Sequence, residues 1–465
     1  MNATDRAVCI HGHFYQPPRE SPWTGEIERQ PSASPFHDWN ARITSECYRP
    51  CLEAPVLDAQ GQVVDRVDCW SHISFDVGPT LMRWLSTHAR DVHDGIVQAD
   101  RTHLARHGVG NAMAQGYHHT ILPLCSQADR QTEIRWGLAD FEARFGRKAE
   151  GFWLPEAAVD TPTLCALADE GIRYVVLAPG QAGEVEGTSD WQDATGIDTT
   201  VAYSVDLPGD RTMAAFFYDG PASQGVAFDG WLHDGRRMAH RLGQASSGLM
   251  HLATDGESYG HHHRHGEMAL AAVIRTLEHL DVPLISYAAW LNRHPPRQRV
   301  RVVEQSSWSC SHGVGRWSED CGCAIDPGRA GTHAWRHHVR KALNELRDRI
   351  DAFTHPRLAR SGEDPQRLRD RYIEHLLAVE GLRTVDPFAG PGAAEVRALL
   401  EVQRHRLMMF TSCGWFFDDP LGLETTQILR YALRATELVS ELGGPDLRAE
   451  LERDLMPVAG LSLGA

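Results

Sequence analysis

No apolar run in this chain approaches the roughly 18 residues that a bilayer-spanning helix needs, so a membrane-spanning protein is excluded. Lysine and arginine form no run or patch, and acidic side chains outnumber basic ones by 62 to 46. The resulting formal charge of −16 repels phosphate backbones, so nucleic acid is not expected as a partner. The ten cysteines, Cys9, Cys47, Cys51, Cys69, Cys125, Cys165, Cys310, Cys321, Cys323 and Cys413, are scattered and do not form a disulfide framework. Met1–Ala7 holds Asp5 and Arg6 and runs directly into chemistry-bearing residues, leaving no room for a secretory leader; the expected location is the cytoplasm. No internal repeat is present. What remains is 465 residues of ordinary composition, 42% apolar and 23% charged, enough for two or three domains or one large barrel.

Through the first three hundred residues a short apolar run repeatedly ends in a polar or ionisable cluster. Ala7–His13, Val67–Phe75, Gly151–Glu156, Ile172–Leu177, Ala214–Tyr218, Leu249–Asp255, Pro283–Tyr287 and Val300–Val303 read as strands. Helical stretches such as Gln131–Phe145 and Thr163–Glu170 lie between them, and β alternating with α predicts parallel strands in an α/β barrel. In such barrels reacting groups sit at the carboxyl ends of strands, where the polar clusters fall. Pro17–Pro50 reads as a long loop beside the first strand. From about Gly331 the texture changes: Val339, Leu343, Leu346, Ile350 and Phe353 form one apolar stripe at helical spacing. Further helices are expected at Gln366–Glu380, Ala393–Met409, Leu423–Leu442 and Leu447–Leu455. Residues 1–330 are thus expected to form a catalytic barrel with long loops, and 331–465 a helical bundle that completes the cleft.

His11 and His13 stand two apart at the end of the first strand, so both imidazoles point the same way. The pair suits metal ligation with a carboxylate from elsewhere, or hydrogen bonding to a polyhydroxylated substrate flanked by Phe14, Tyr15 and Trp23. Glu156 follows the buried-strand pattern Gly-Phe-Trp-Leu-Pro, and Asp255 and Glu257 follow His-Leu-Ala-Thr. Each acid alone reads equally as a cap or a surface charge. Two acids on separate strand ends are the minimum apparatus for glycosidic cleavage, one attacking or guiding water and the other protonating the leaving oxygen.

These segments resemble glycoside hydrolase family 57: His11–Pro17 its first signature, Gln115–Leu124 its second, Gly151–Glu156 its nucleophile signature and Thr254–Gly260 its acid/base signature. The resemblance spans residues 7–440 and implies an incomplete (β/α)7 barrel followed by a helical bundle, and a retaining mechanism on α-linked glucan or oligosaccharide. It implies Glu156 as nucleophile and Asp255 as general acid and then base. His11, His13, His119, Trp153 and Glu257 would hold the sugar, and no cofactor is implied. Retention predicts catalytic carboxyl groups about 5–5.5 Å apart, with the acid kept protonated by burial or a neighbouring carboxylate. Met409–Asp419 resembles the helical segment that closes the family's site, with Trp415 as a sugar-stacking platform. Here Gly414 stands where many members place an acid, so either Asp418 compensates or the substrate contact differs.

Cys310, His312, Cys321 and Cys323 lie within fourteen residues, but Cys-x-His and Cys-x-Cys are tighter than the usual Cys-x2-Cys hairpin. They read as buried cysteines and a pocket histidine in preference to the alternative, a structural zinc site, and no metal is assigned. The run His261–His262–His263–Arg264–His265 reads as a solvated loop near the mouth. Two other classes compete with the glycosidase reading: a metal-dependent deacetylase or amidohydrolase with zinc on His11, His13 and Asp255, and a silent glycan-binding protein.

Overall fold

The first strand, β1 (Arg6–Phe14), is buried along nearly its whole length, as a strand covered on both faces must be. The computed structural model describes residues 6–188, 190–244, 247–326, 328, 333–458 and 460. In it β1 belongs to an eight-stranded sheet with β2 (Ser74–Val77), β3 (Ala112–Gln115), β4 (Gly151–Trp153), β5 (Tyr174–Leu177), β6 (Ala202–Leu207), β7 (Arg211–Phe217) and β8 (Gly248–Asp255). Their order is β6-β7-β5-β4-β3-β2-β1-β8. Seven strands run parallel, and β6 joins the edge through antiparallel pairing with β7. Among the described residues β6 and β8 do not pair, so the barrel is left open between them.

Parallel register brings the strand ends to one mouth. His11 pairs with Ser74 and His13 with Asp76 on one flank of β1, and His13 pairs with Asp255 on the other. Gln115 pairs with Trp153 across β3 and β4.

Several expected strands changed. Cys69–Ser71 is a tight turn, so β2 begins only at Ser74 and extends to Val77. Among the described residues Pro283–Tyr287 pairs with β1 only as the isolated bridge Val8–Leu284, because the Ser286 hydroxyl caps the helix Tyr287–Arg293 instead. Val300–Val302 joins Ala182–Glu186 and Trp191–Asp193 in a separate three-stranded sheet.

The helices follow their sequence signals. α1 (Gln127–Phe145) starts at Ser126, whose hydroxyl accepts from the Asp129 amide, and stops at Gly146. α2 (Trp335–Leu358) buries the stripe Val339, Leu343, Leu346, Ile350 and Phe353 against α3 (Pro365–Val379), α4 (Ala394–Met408), α5 (Leu423–Glu441) and α6 (Leu447–Leu455). This second core takes in Tyr117, Ile121 and Trp136 from the barrel side. Trp136 donates from its indole to the Arg369 carbonyl at 3.0 Å, and Asp129 is 3.0 Å from Arg369. The helices are thus fixed over the mouth. The boundary expected at 330/331 falls at residues 329–332, which lie outside the described residues.

Candidate active site

Asp76, at the end of β2, is the wholly buried hub of a chain of imidazoles. One carboxylate oxygen lies 3.0 Å from His11 Nε2, the other 2.8 Å from His13 Nδ1. His13 Nε2 is 3.1 Å from His119 Nε2, and His119 Nδ1 is 2.7 Å from the Ser412 hydroxyl. Burial alone would lower the His13 pKa, but Asp76, aided by Asp255 and Glu257, raises it to about 9. Burial and the neighbouring His13 charge push His119 well below its ordinary value. His13 is therefore the cation and can donate from both nitrogens, to Asp76 and to His119. His119, neutral, accepts on Nε2 and donates from Nδ1 to Ser412.

Glu156 sits just past β4 with φ +59, followed by Ala157 at φ +48. Left-handed backbone in non-glycine residues costs on the order of 1–3 kcal/mol and is held only where the surroundings over-determine it. Here the Trp308 amide donates to the Glu156 carbonyl at 3.1 Å, and the Ala157 amide to the Leu154 carbonyl at 2.7 Å. The carboxylate Oε2 accepts from the Ser309 hydroxyl at 2.8 Å and the Trp308 indole at 3.1 Å. Among the described residues, no hydrogen bond falls on Oε1. Burial, with the Asp255 charge, raises the Glu156 pKa; the Ser309 and Trp308 donors oppose that rise and favour the charged form.

Asp255 ends β8 and is exposed to the cavity. The burial expected around it falls on Glu257, which is 5% exposed, accepts from Tyr48 Oη at 2.5 Å and from the Tyr15 amide at 3.1 Å, and titrates at about 7. Burial is the main cause of that rise; Asp255 adds to it and the Tyr48 hydrogen bond opposes it.

His13, His119, Glu156, Asp255 and Glu257 line one open cavity of about 1900 Å³, well above the roughly 300–1,000 Å³ of a pocket for a single small molecule. His261 and His262 from the expected solvated loop line it too. Two expected sugar contacts do not reach it. His11 is fully buried with both nitrogens engaged, to Asp76 and, at 3.1 Å, to Ser74. Trp153 lies beneath the histidines, its ring stacked 4.8 Å from His11 and 5.1 Å from His13. Both support the site from below.

Trp415 is also corrected: it is wholly buried in the helical core, under Arg340 at 4.0 Å, with its indole donating to the Arg336 carbonyl. It offers no face to a sugar. Aromatic faces at the cavity come from Trp39, Tyr218, Trp308, Phe417 and Phe228, the last 83% exposed. Nor does Asp418 replace an acid: it is tied down by the Ile325 and Asp326 amides and by His333. Gly414 is required by packing, since a Cβ there would lie 2.4 Å from Ile428 Cδ1. The acid on that wall is Glu424, 3.5 Å from Arg19.

Asp76, Trp308, Ser309, Tyr48 and Ser412 were not singled out as site residues in the sequence. Asp76 carried a usable signal, an acid directly after an apolar run; the others are brought in by loops and by the helical region. The structure also gathers Cys310, His312, Cys321 and Cys323, their ligand atoms within 4.8 Å of one another on one edge of the cavity.

Residues 332–459 match a domain of unknown function, DUF3536. No curated protein matches the chain in sequence. A maltose-forming amylase from Pyrococcus sp. ST04 shares its fold with a TM-score of 0.75 at 15% identity, over 97% of this chain and 82% of that one. A branching enzyme from Thermococcus kodakaraensis does so at 0.59 and 16% identity, over 98% and 96%. A 4-alpha-glucanotransferase from Thermococcus litoralis does so at 0.54 and 14% identity, over 92% and 58%. Residues 39–303, more than half of the chain, match glycosyl hydrolase family 57, and the protein belongs to that family.

Proposed function

We propose that the protein cleaves α-linked glucan with retention, through a glycosyl-enzyme on Glu156. The observation that carries this reading is the setting of Glu156: a strained, half-buried carboxylate facing a large cavity, with two donors on Oε2 and, among the described residues, none on Oε1. Donors on one oxygen favour the ionised form and leave the other for attack on the anomeric carbon. Asp255, on the same cavity as Glu156, gives its carboxyl proton to the departing glycosidic oxygen and, once ionised, takes the proton of the incoming hydroxyl. His13, His119 and Glu257 hold the sugar. His13 is the one fixed cation among them, placed to donate to a sugar hydroxyl if its bond to His119 opens. A maltose-forming amylase, a branching enzyme and a 4-alpha-glucanotransferase on the same fold support an α-glucan as the substrate class.

A second assignment gives the acid's role to Glu257. It is favoured by the pKa of about 7, which keeps that carboxyl half-protonated at neutrality. The zinc-hydrolase reading is not favoured, because His11 has both nitrogens engaged and does not face the cavity.

Wild type and Glu156→Ala are assayed on soluble starch, glycogen and maltooligosaccharides, with product lengths and branch content read chromatographically. Azide rescue of Glu156→Ala to a glycosyl azide supports the nucleophile. Wild type without turnover on every substrate overturns the α-glucan reading. Product pattern tells whether water or a sugar hydroxyl takes the glycosyl group. Asp255→Ala and Glu257→Ala are compared on an α-glucosyl fluoride, whose leaving group needs no acid: the variant that loses starch turnover but keeps fluoride turnover has lost the acid.

A further inference from the structure

Two loops bring three thiols and an imidazole together at the cavity's edge. Cys310 Sγ lies 3.9 Å from Cys321 Sγ and 3.8 Å from Cys323 Sγ, and His312 Nδ1 lies 3.4 Å from Cys323 Sγ. A tetrahedral centre with metal–sulfur bonds of about 2.3 Å and metal–nitrogen bonds of about 2.05 Å has sulfur–sulfur edges of about 3.8 Å and sulfur–nitrogen edges of about 3.5 Å. The observed edges match that figure, whereas a disulfide needs sulfurs about 2.05 Å apart. The spacing Cys-x-Cys, tighter than a zinc hairpin, is made workable by Gly322, whose φ of +72 turns the chain between the two thiols.

We infer that Cys310, His312, Cys321 and Cys323 bind one zinc ion. Three thiolates and a neutral imidazole around Zn2+ carry a net charge of −1. A counter-charge stands ready. Arg336, wholly buried, packs beside Cys321 and donates from Nη1 to the Cys323 carbonyl at 2.8 Å. Among the described residues its one carboxylate partner, Asp418, is 3.5 Å away, and its Nε has no hydrogen-bond partner. With four protein ligands the centre is closed, which makes its role structural, not catalytic. Cys310 directly follows Trp308 and Ser309, the two donors on Glu156. Zinc would therefore lock the segment that sets the Glu156 carboxylate. The site does not depend on the glycosidase reading, because its tests are read without any glycan.

The full chain is purified without metal-affinity resin and its metal content measured by plasma mass spectrometry. About one zinc per chain is expected, and less than about a tenth overturns the proposal. Cys321→Ser/Cys323→Ser is expected to lose the metal, while Cys165→Ser, a distant control, keeps it; equal zinc in both overturns these ligands. Cobalt(II) exchanged into wild type, a measurement independent of how the variant folds, is expected to show strong thiolate-to-cobalt charge transfer and tetrahedral d–d bands. A weak six-coordinate spectrum overturns the site. So does a thiol titration showing a disulfide among Cys310, Cys321 and Cys323 in the purified protein.

Discussion

Replacing Asp76 by Asn keeps the shape of the hub and removes its charge. In the wild type His13 titrates at about 9 instead of the ordinary 6.5. At 1.36 kcal/mol per pH unit, that difference corresponds to about 3 kcal/mol of preference for the charged imidazole in the folded state. Because the folded pKa is raised, this stabilisation is complete below about pH 6.5 and is lost as the pH rises through about 9. In Asp76→Asn burial dominates, His13 stays neutral over most of that range, and the contribution disappears. The stability gap between wild type and variant is therefore about 3 kcal/mol wider at pH 6 than at pH 10. Denaturant unfolding followed by tryptophan fluorescence at both pH values measures it. A gap of the same size at both refutes the assignment of the charge to His13, and a gap that widens toward pH 10 refutes the direction of the linkage.

Gly414→Ala places a methyl group 2.4 Å from Ile428 Cδ1 and 2.8 Å from Cγ1, so it should destabilise by about 1–3 kcal/mol. Ile428→Val, which removes Cδ1, should recover part of that loss in a denaturation cycle. Ser309→Ala removes a donor on a charged oxygen and should lower kcat/KM about ten- to a hundredfold, the equivalent of about 1.5–3 kcal/mol. It should also move the acidic limb of the pH profile upward, since losing that donor lets burial raise the Glu156 pKa further. Trp415→Ala should cost about 3–5 kcal/mol of stability. The KM of its remaining folded fraction should not change, whereas Phe228→Ala should raise KM for long glucans with no loss of stability.

The strand ends bearing His13, Glu156 and Asp255 were legible in the sequence because an apolar run that stops at an ionisable residue has few structural meanings. β3 escaped notice because Ala-Met-Ala-Gln has no β-branched residue, and its pairing with β2 and β4 supplies what propensity does not. Asp76 was missed by one residue: the run Val67–Phe75 reads as a strand ending just before it, and only the turn at Cys69–Ser71 shifts β2 onward. Trp308 and Ser309 reach Glu156 from about 150 positions away in the chain, across a contact that no local pattern encodes. Periodicity showed that Trp415 belonged to a helical region but not which way it faced. The packing of Gly414 against Ile428 turns that segment inward.

One wall of the cavity comes from Cys413, Phe416, Phe417 and Glu424, and His119 is held by Ser412; all five residues lie in the last sixty or so positions of the chain. During synthesis the barrel leaves the ribosome well before them. A nascent chain that has already placed Glu156 and Asp255 at its strand ends still has an unroofed groove and a His119 without its Ser412 partner. The cavity thus becomes a walled site only once residues 412–424 have docked on the barrel, so a chain folded through its strands alone presents the acids on an open groove.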